Sequence, residues 1–212
     1  MAVIENLVLY LPTHPTKVYP KRDVKDIKYL IIHQTDSEDK GTFHVYDTAR
    51  YHVNSNGWAG IGYHYFIIKD GSIFQTQPDY VISNHASNYN ATSLGIVITG
   101  DHRLPNSNDY TCGDNEGMLG KTQYKALVWT LAKLQIRHSI PFENILAHGQ
   151  TGSSKSCPNL NMEQLKEDVK KKDNFIYTKG RLNFIASRFN NIFRKKLEEI
   201  KEEFDYINFI KQ

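Results

Sequence analysis

Cysteine is scarce, with Cys112 and Cys157 the only two among 212 residues. One disulfide at most can form, so this is no disulfide framework and the fold must rest on a core. No stretch is long and apolar enough to span a membrane. Neither sign of charge dominates: 26 Lys and Arg against 23 Asp and Glu leave a net +3. There is no concentrated basic stripe, which argues against nucleic acid as a partner. Internal repeats and low-complexity tracts are also lacking. The opening stretch, Met1 to Pro12, has no positively charged start and carries Glu5 inside its apolar run, so it makes a poor signal peptide. What is present is globular chemistry, 40% hydrophobic and 23% charged, enough for one domain with a real core.

Along the chain, Pro12, Pro15 and Pro20 break the first twenty residues into a surface leader, and Lys21 to Lys28 reads as a solvated turn or short helix. Tyr29 to Ile32 is a buried strand ending at His33. Thr42 to Val53 carries Phe43, Tyr46, Ala49 and Val53 at helical spacing, with Thr42 as its cap. His44 and His52 fall on this helix and are not expected to be ligands. Gly62 to Ile68 and Ser72 to Thr76 are β-rich runs joined by Asp70-Gly71, a hairpin signal. Ser93 to Gly100 reads as another strand. Leu104 to Gly120 is a long polar loop. Thr122 to His138 is an amphipathic helix capped by Thr122. Asn144 to Ala147 is a last short strand, and Asn161 to Lys172 a short helix. From Gly180 onward an apolar stripe recurs at three- and four-residue steps.

The chemistry gathers where apolar runs end. His33 follows one strand, His148 follows another, and Cys157 comes in the loop after it. Imidazole nitrogen and thiolate sulfur are the donors zinc favours, and three protein ligands leave a fourth position open, the pattern of a catalytic zinc site. Each histidine taken alone is better read as a hydrogen-bonded core or surface residue. Tyr63 alone is an ordinary strand aromatic, sharing a face with Tyr65 by alternation, and Lys155 alone a solvated loop lysine.

The ordered set His33-Gln-Thr35, Gly57-Trp58, Gly62-Tyr-His-Tyr65, Asp70-Gly71, His85-Ala86 with Asn90, Ser93-Leu-Gly-Ile96, His148 and Lys155-Ser-Cys157-Pro158 resembles the type-2 N-acetylmuramoyl-L-alanine amidase family. That family is shared by peptidoglycan recognition proteins and amidase-type phage endolysins. The resemblance covers about Tyr29 to Val169. It implies an α/β fold with a central mixed sheet flanked by helices. It implies a zinc ion on His33, His148 and Cys157, with Tyr63 and Lys155 as catalytic groups. It also implies substrate contacts from His85, Asn90 and Trp58, and cleavage of the amide between N-acetylmuramic acid and L-alanine of the stem peptide. Non-catalytic recognition members typically lack the cysteine ligand, so Cys157 favours an enzyme over a peptidoglycan-binding module. Some members place a glutamate on the strand before the long loop. Gly95 to Gly100 has no acid, which leaves Tyr63 as the candidate there.

The expected organisation is a leader over 1–28, a zinc amidase domain over 29–175 and a C-terminal helical extension over 180–212. A monomer is expected. Without an evident signal peptide, the expected course is synthesis in the cytoplasm and action at the bacterial cell wall.

Overall fold

A computed structural model describes residues 3–37, 40–100, 102, 119–152, 157–174 and 176, together with 191, 192, 195, 196 and 198. Residues up to Lys172 form one compact unit, and Asp173 to Gln212 a second. In the second, Asn191, Ile192, Lys195, Lys196 and Glu198 are helical. The rest of the expected extension, the loop from Leu104 to Met118 with Cys112, and Lys155 lie outside the described residues. Among the described residues no helix is long and apolar enough to cross a membrane.

The first unit is built on a mixed sheet of six strands, β1 (Ile4–Asn6), β2 (Tyr29–Gln34), β3 (Tyr65–Ile67), β4 (Ile73–Gln75), β5 (Ser93–Ile98) and β6 (Ile145–Ala147), in the order β1-β4-β3-β5-β2-β6. Only β3 and β4 run antiparallel. They are the expected hairpin, turning at Gly71 with φ 88°. The central strands β2 and β5 are buried along almost their whole length, as parallel strands with both faces covered must be. On one face, Phe66, Phe74 and Val97 pack with Val45 and Ala49 of α1 (Thr42–Asn54) and with Ile61. On the other lies α2 (Lys121–His138), whose Leu127 and Leu131 are fully buried. Gln123 ties α2 to the sheet by donating to the carbonyls of Ile67 and Thr99 at 3.1 and 3.0 Å. Residues 162–172 are helical and bury Leu165 and Val169.

Three local expectations change. The leader does more than cover the surface: Ile4–Asn6 pairs with β4 as an edge strand, and Leu7 and Leu11 enter the core around α1. Both helices begin one residue before or at the expected cap. Gly41 and Gly120 hold the N-cap positions without a side-chain bond, so Thr42 and Thr122 lie inside the helices. Tyr63 and Tyr65 do not share a face. Residues 62–64 precede β3 in a bend, where the His64 carbonyl accepts from both Thr76 and Gln77. Tyr63 therefore packs on the α1 side, while Tyr65 meets Arg137 of α2.

Candidate metal centre and cleft

Strand register brings the first two donors together. β2 and β6 are parallel, with Ile32 opposite Ala147. The next residue on each chain is His33 and His148, and both leave along the same edge of the sheet. Their rings lie 4.5 Å apart. Cys157 returns to this edge because Gly149 N–H donates to its carbonyl at 2.8 Å, and Gln34 N–H donates to its Sγ at 3.4 Å. One ligand atom from each of His33, His148 and Cys157 lies within 4.8 Å of the others. Ligand distances of roughly 2.0–2.3 Å let one ion reach all three after small side-chain adjustments. Burial, and then the neighbouring His148, His52 and His64, hold the His33 imidazole well below its ordinary range. A neutral imidazole keeps a lone pair, so burial favours the ligand-competent state. Two imidazoles and a thiol are the side chains zinc favours, and the residues fit such an ion.

The cluster heads a polar cleft between α1 and the loops after β2 and β4. His33, Tyr63, Trp58, His85, His148 and Cys157 all line it. A second arm runs past Trp58, Asn84, His85, Asn90 and His148. The Tyr63 ring stands 5.2 Å from that of His33. Burial, then Cys157 and Asp36, push its hydroxyl well above the phenol range, so it stays an O–H donor. Thr35, Asp36 and Gly100 are stitched together beside the cluster. Thr35 N–H donates to Ile98 O and Asp36 N–H to Gly100 O, both at 3.1 Å. Asp36 adopts φ 54°, a left-handed conformation Asp tolerates, and its carboxylate accepts from Gln34 Nε2.

Every described residue singled out for the site from sequence lines this cleft, but their bonding differs from what sequence suggests. The Asn90 side-chain oxygen accepts from the backbone N–H of His85 and Ala86 at 2.9 and 2.8 Å, shaping the loop that carries His85. His85 uses both ring nitrogens within the protein, on His33 Nε2 at 3.1 Å and Ser93 Oγ at 3.2 Å. Sequence reasoning passed over His52. Its Nδ1 accepts from Gly62 N–H at 3.0 Å, its ring lies 4.6 Å from Trp58, and it lines the cleft. Burial lowers its imidazole to about 4. The signal was there: Val45, Ala49, His52 and Val53 recur on one helical face.

The fold and its edge cluster define an α/β protein with a three-donor metal-type site at the head of a polar cleft. Within that class the chain belongs to the N-acetylmuramoyl-L-alanine amidase family, whose model matches residues 23–160. It is 30% identical to peptidoglycan-recognition protein SC2 of Drosophila melanogaster over 142 residues, 64% of this chain and 70% of that protein. The Ph2119 endolysin of Thermus scotoductus MAT2119 bacteriophage Ph2119 has the same fold, with TM-score 0.60 and 23% identity over 79% of this chain and 99% of that one. So does peptidoglycan recognition protein-LE, solved in complex with tracheal cytotoxin, a monomeric diaminopimelic acid-type peptidoglycan. The TM-score is 0.59 and the identity 23%, over 76% of this chain and 91% of that one.

Proposed function

We propose that the protein is a zinc-dependent hydrolase that cuts the amide between N-acetylmuramic acid and L-alanine in bacterial peptidoglycan. The observation that carries this reading is the meeting of His33, His148 and Cys157 at the head of a cleft wide enough to have two arms. An ion held by those three residues supplies a Lewis acid for the amide carbonyl and brings water towards ionisation near neutral pH. The chain's own groups do the rest. Tyr63 Oη, held protonated, donates a hydrogen bond to the attacking water or the carbonyl; the proton that water loses on attack goes to the leaving amine through the same hydroxyl, which ends protonated as it began. Lys155, two residues before Cys157, is the candidate cation for the oxyanion. Trp58 offers an apolar wall where the two arms meet, and the stem peptide is the proposed occupant; recognition protein-LE, which has the same fold, was solved in complex with a monomeric peptidoglycan. Action at the cell wall belongs to the same proposal.

Relatives include recognition proteins as well as endolysins, so the test must separate cutting from binding. Purified sacculi incubated with the zinc-loaded protein should release new L-alanine amino termini and no new reducing sugars. Retention on sacculi with no new termini would replace the enzyme by a recognition module. New reducing ends would mean a glycosidase.

A further inference from the structure

The buried contacts behind His33 form a chain whose proton positions follow from one carbonyl. Ser93 Oγ has a single hydrogen, and it donates to the Tyr89 carbonyl at 2.7 Å. A carbonyl only accepts, so this hydrogen is committed. Towards His85 Nε2, 3.2 Å away, Ser93 Oγ can then only accept, and that nitrogen carries the proton. A neutral His85 with its proton on Nε2 has its lone pair on Nδ1. Facing Nδ1 at 3.1 Å is His33 Nε2, which must be the donor. His33 therefore carries its proton on Nε2 and its lone pair on Nδ1.

We propose that His85 is a positioning residue: the relay Tyr89–Ser93–His85 fixes the tautomer and ring orientation of His33, so that its Nδ1 is presented to the metal. This rests on the zinc reading above and goes beyond it, because His85 then serves the ligand rather than the substrate. With both nitrogens engaged, the ring has no polar atom left to offer a bound peptide or sugar.

The surroundings are shaped for that task. Ser93 and Gly95 alternate onto the same face of β5, so one supplies the acceptor and the other the room. A Cβ on Gly95 would stand 2.7 Å from His85 Cγ, a contact no real side chain makes. The His85 ring meets His33 edge-on at 84°, and Asn90 anchors its backbone. Burial holds the imidazole of His85 well below its ordinary range, as it does that of His33. A second proton on His85 would sit on Nδ1 and face the Nε2–H of His33, donor against donor.

Two measurements test the relay. In the metal-stripped wild-type protein, nitrogen-15 NMR of the histidine rings should show His33 protonated at Nε2; protonation at Nδ1 overturns the proposal. Zinc affinity, measured by competition with a chelator, should fall roughly ten- to a hundredfold in His85→Ala, the usual loss when a ligand's hydrogen-bond partner is removed. His85→Asn places an amide oxygen near the position of Nδ1 and should recover most of that loss. Equal affinity in His85→Ala and wild type, or no recovery with Asn relative to Ala, overturns it. A wild-type protein that takes up no zinc would instead refute the metal reading, while the tautomer measurement still decides the relay.

Discussion

Where α2 ends, Asp79 is partly buried and bonded by three side chains. Tyr65 donates to its Oδ1 at 2.7 Å, and His138 and Arg137 meet its Oδ2 at 2.9 and 3.2 Å. Burial alone would raise its carboxyl, but the bonds from His138 and Tyr65 outweigh that and bring it down to about 2. At the other cluster, His33, His148 and Cys157 turn lone-pair donors towards one another. The first cluster is complementary in itself and joins β3, α2 and the loop after β4. The second gathers three donor atoms of the kind a metal cation takes. The two polar clusters thus differ in kind: one is closed by bonds among its own members, the other brings metal-type donors together.

That contrast can be broken most forcefully at Cys157. Cys157→Ala should abolish stoichiometric zinc and lower amidase activity by about three orders of magnitude or more, since the Lewis acid leaves with the thiolate. Metal analysis and release of L-alanine termini provide the check, and zinc retained at one equivalent would refute the ligand set. Tyr63→Phe should keep zinc and fold but lose roughly a hundredfold to ten-thousandfold in turnover. Near-normal turnover would remove Tyr63 from the mechanism.

The Asp79 cluster should respond in the opposite way. Asp79→Ala leaves Tyr65, His138 and Arg137 without their acceptor and should cost about 3–5 kcal/mol in urea unfolding, while zinc affinity stays unchanged. Lost zinc binding in a folded variant would mean the clusters are coupled.

The smallest effect is a pH slope. His64 is fully buried, with Nδ1 accepting from Gly95 N–H at 3.0 Å and Nε2 facing Val81 O at 2.9 Å. Burial, then Arg22, lower its imidazole from 6.5 to about 4. Between those values the unfolded chain binds a proton that the folded one refuses. Stability from this group is full above pH 6.5, falls as the pH drops towards 4, and is gone below. The loss amounts to roughly 3 kcal/mol, at about 1.4 kcal/mol per pKa unit. His64→Gln should start less stable at neutral pH and show a shallower acid limb in urea midpoints. An unchanged limb would assign the slope to other groups.

The three donor side chains that meet at the sheet edge and the core strands were legible because each depends on local pattern: a β-rich run, then a histidine, with Cys157 in the loop that follows. The edge strand Ile4–Asn6 was not, because one half-buried and two exposed residues give no periodicity, and only pairing to β4 makes them a strand. The caps were misplaced because Gly41 and Gly120, one step earlier, take the N-cap position that a threonine also suits. The Asp79 cluster was invisible because Tyr65, Asp79, Arg137 and His138 are brought together only by the sheet. The His85 relay was half visible, since Ser93 and Gly95 are two apart on a strand, but nothing local says what lies above them.

The hydrogen bond from Gln34 N–H to Cys157 Sγ spans 123 residues. As the ribosome extends the chain, His33 emerges early and waits for β6 and the loop beyond it. An unfinished polypeptide therefore carries one donor and no centre. Once complete, an ion seated there would act as a clasp between the start and the close of the first unit, drawing its strength from the long loop it shuts. Metal uptake would thus report that nearly the whole unit has been made and folded.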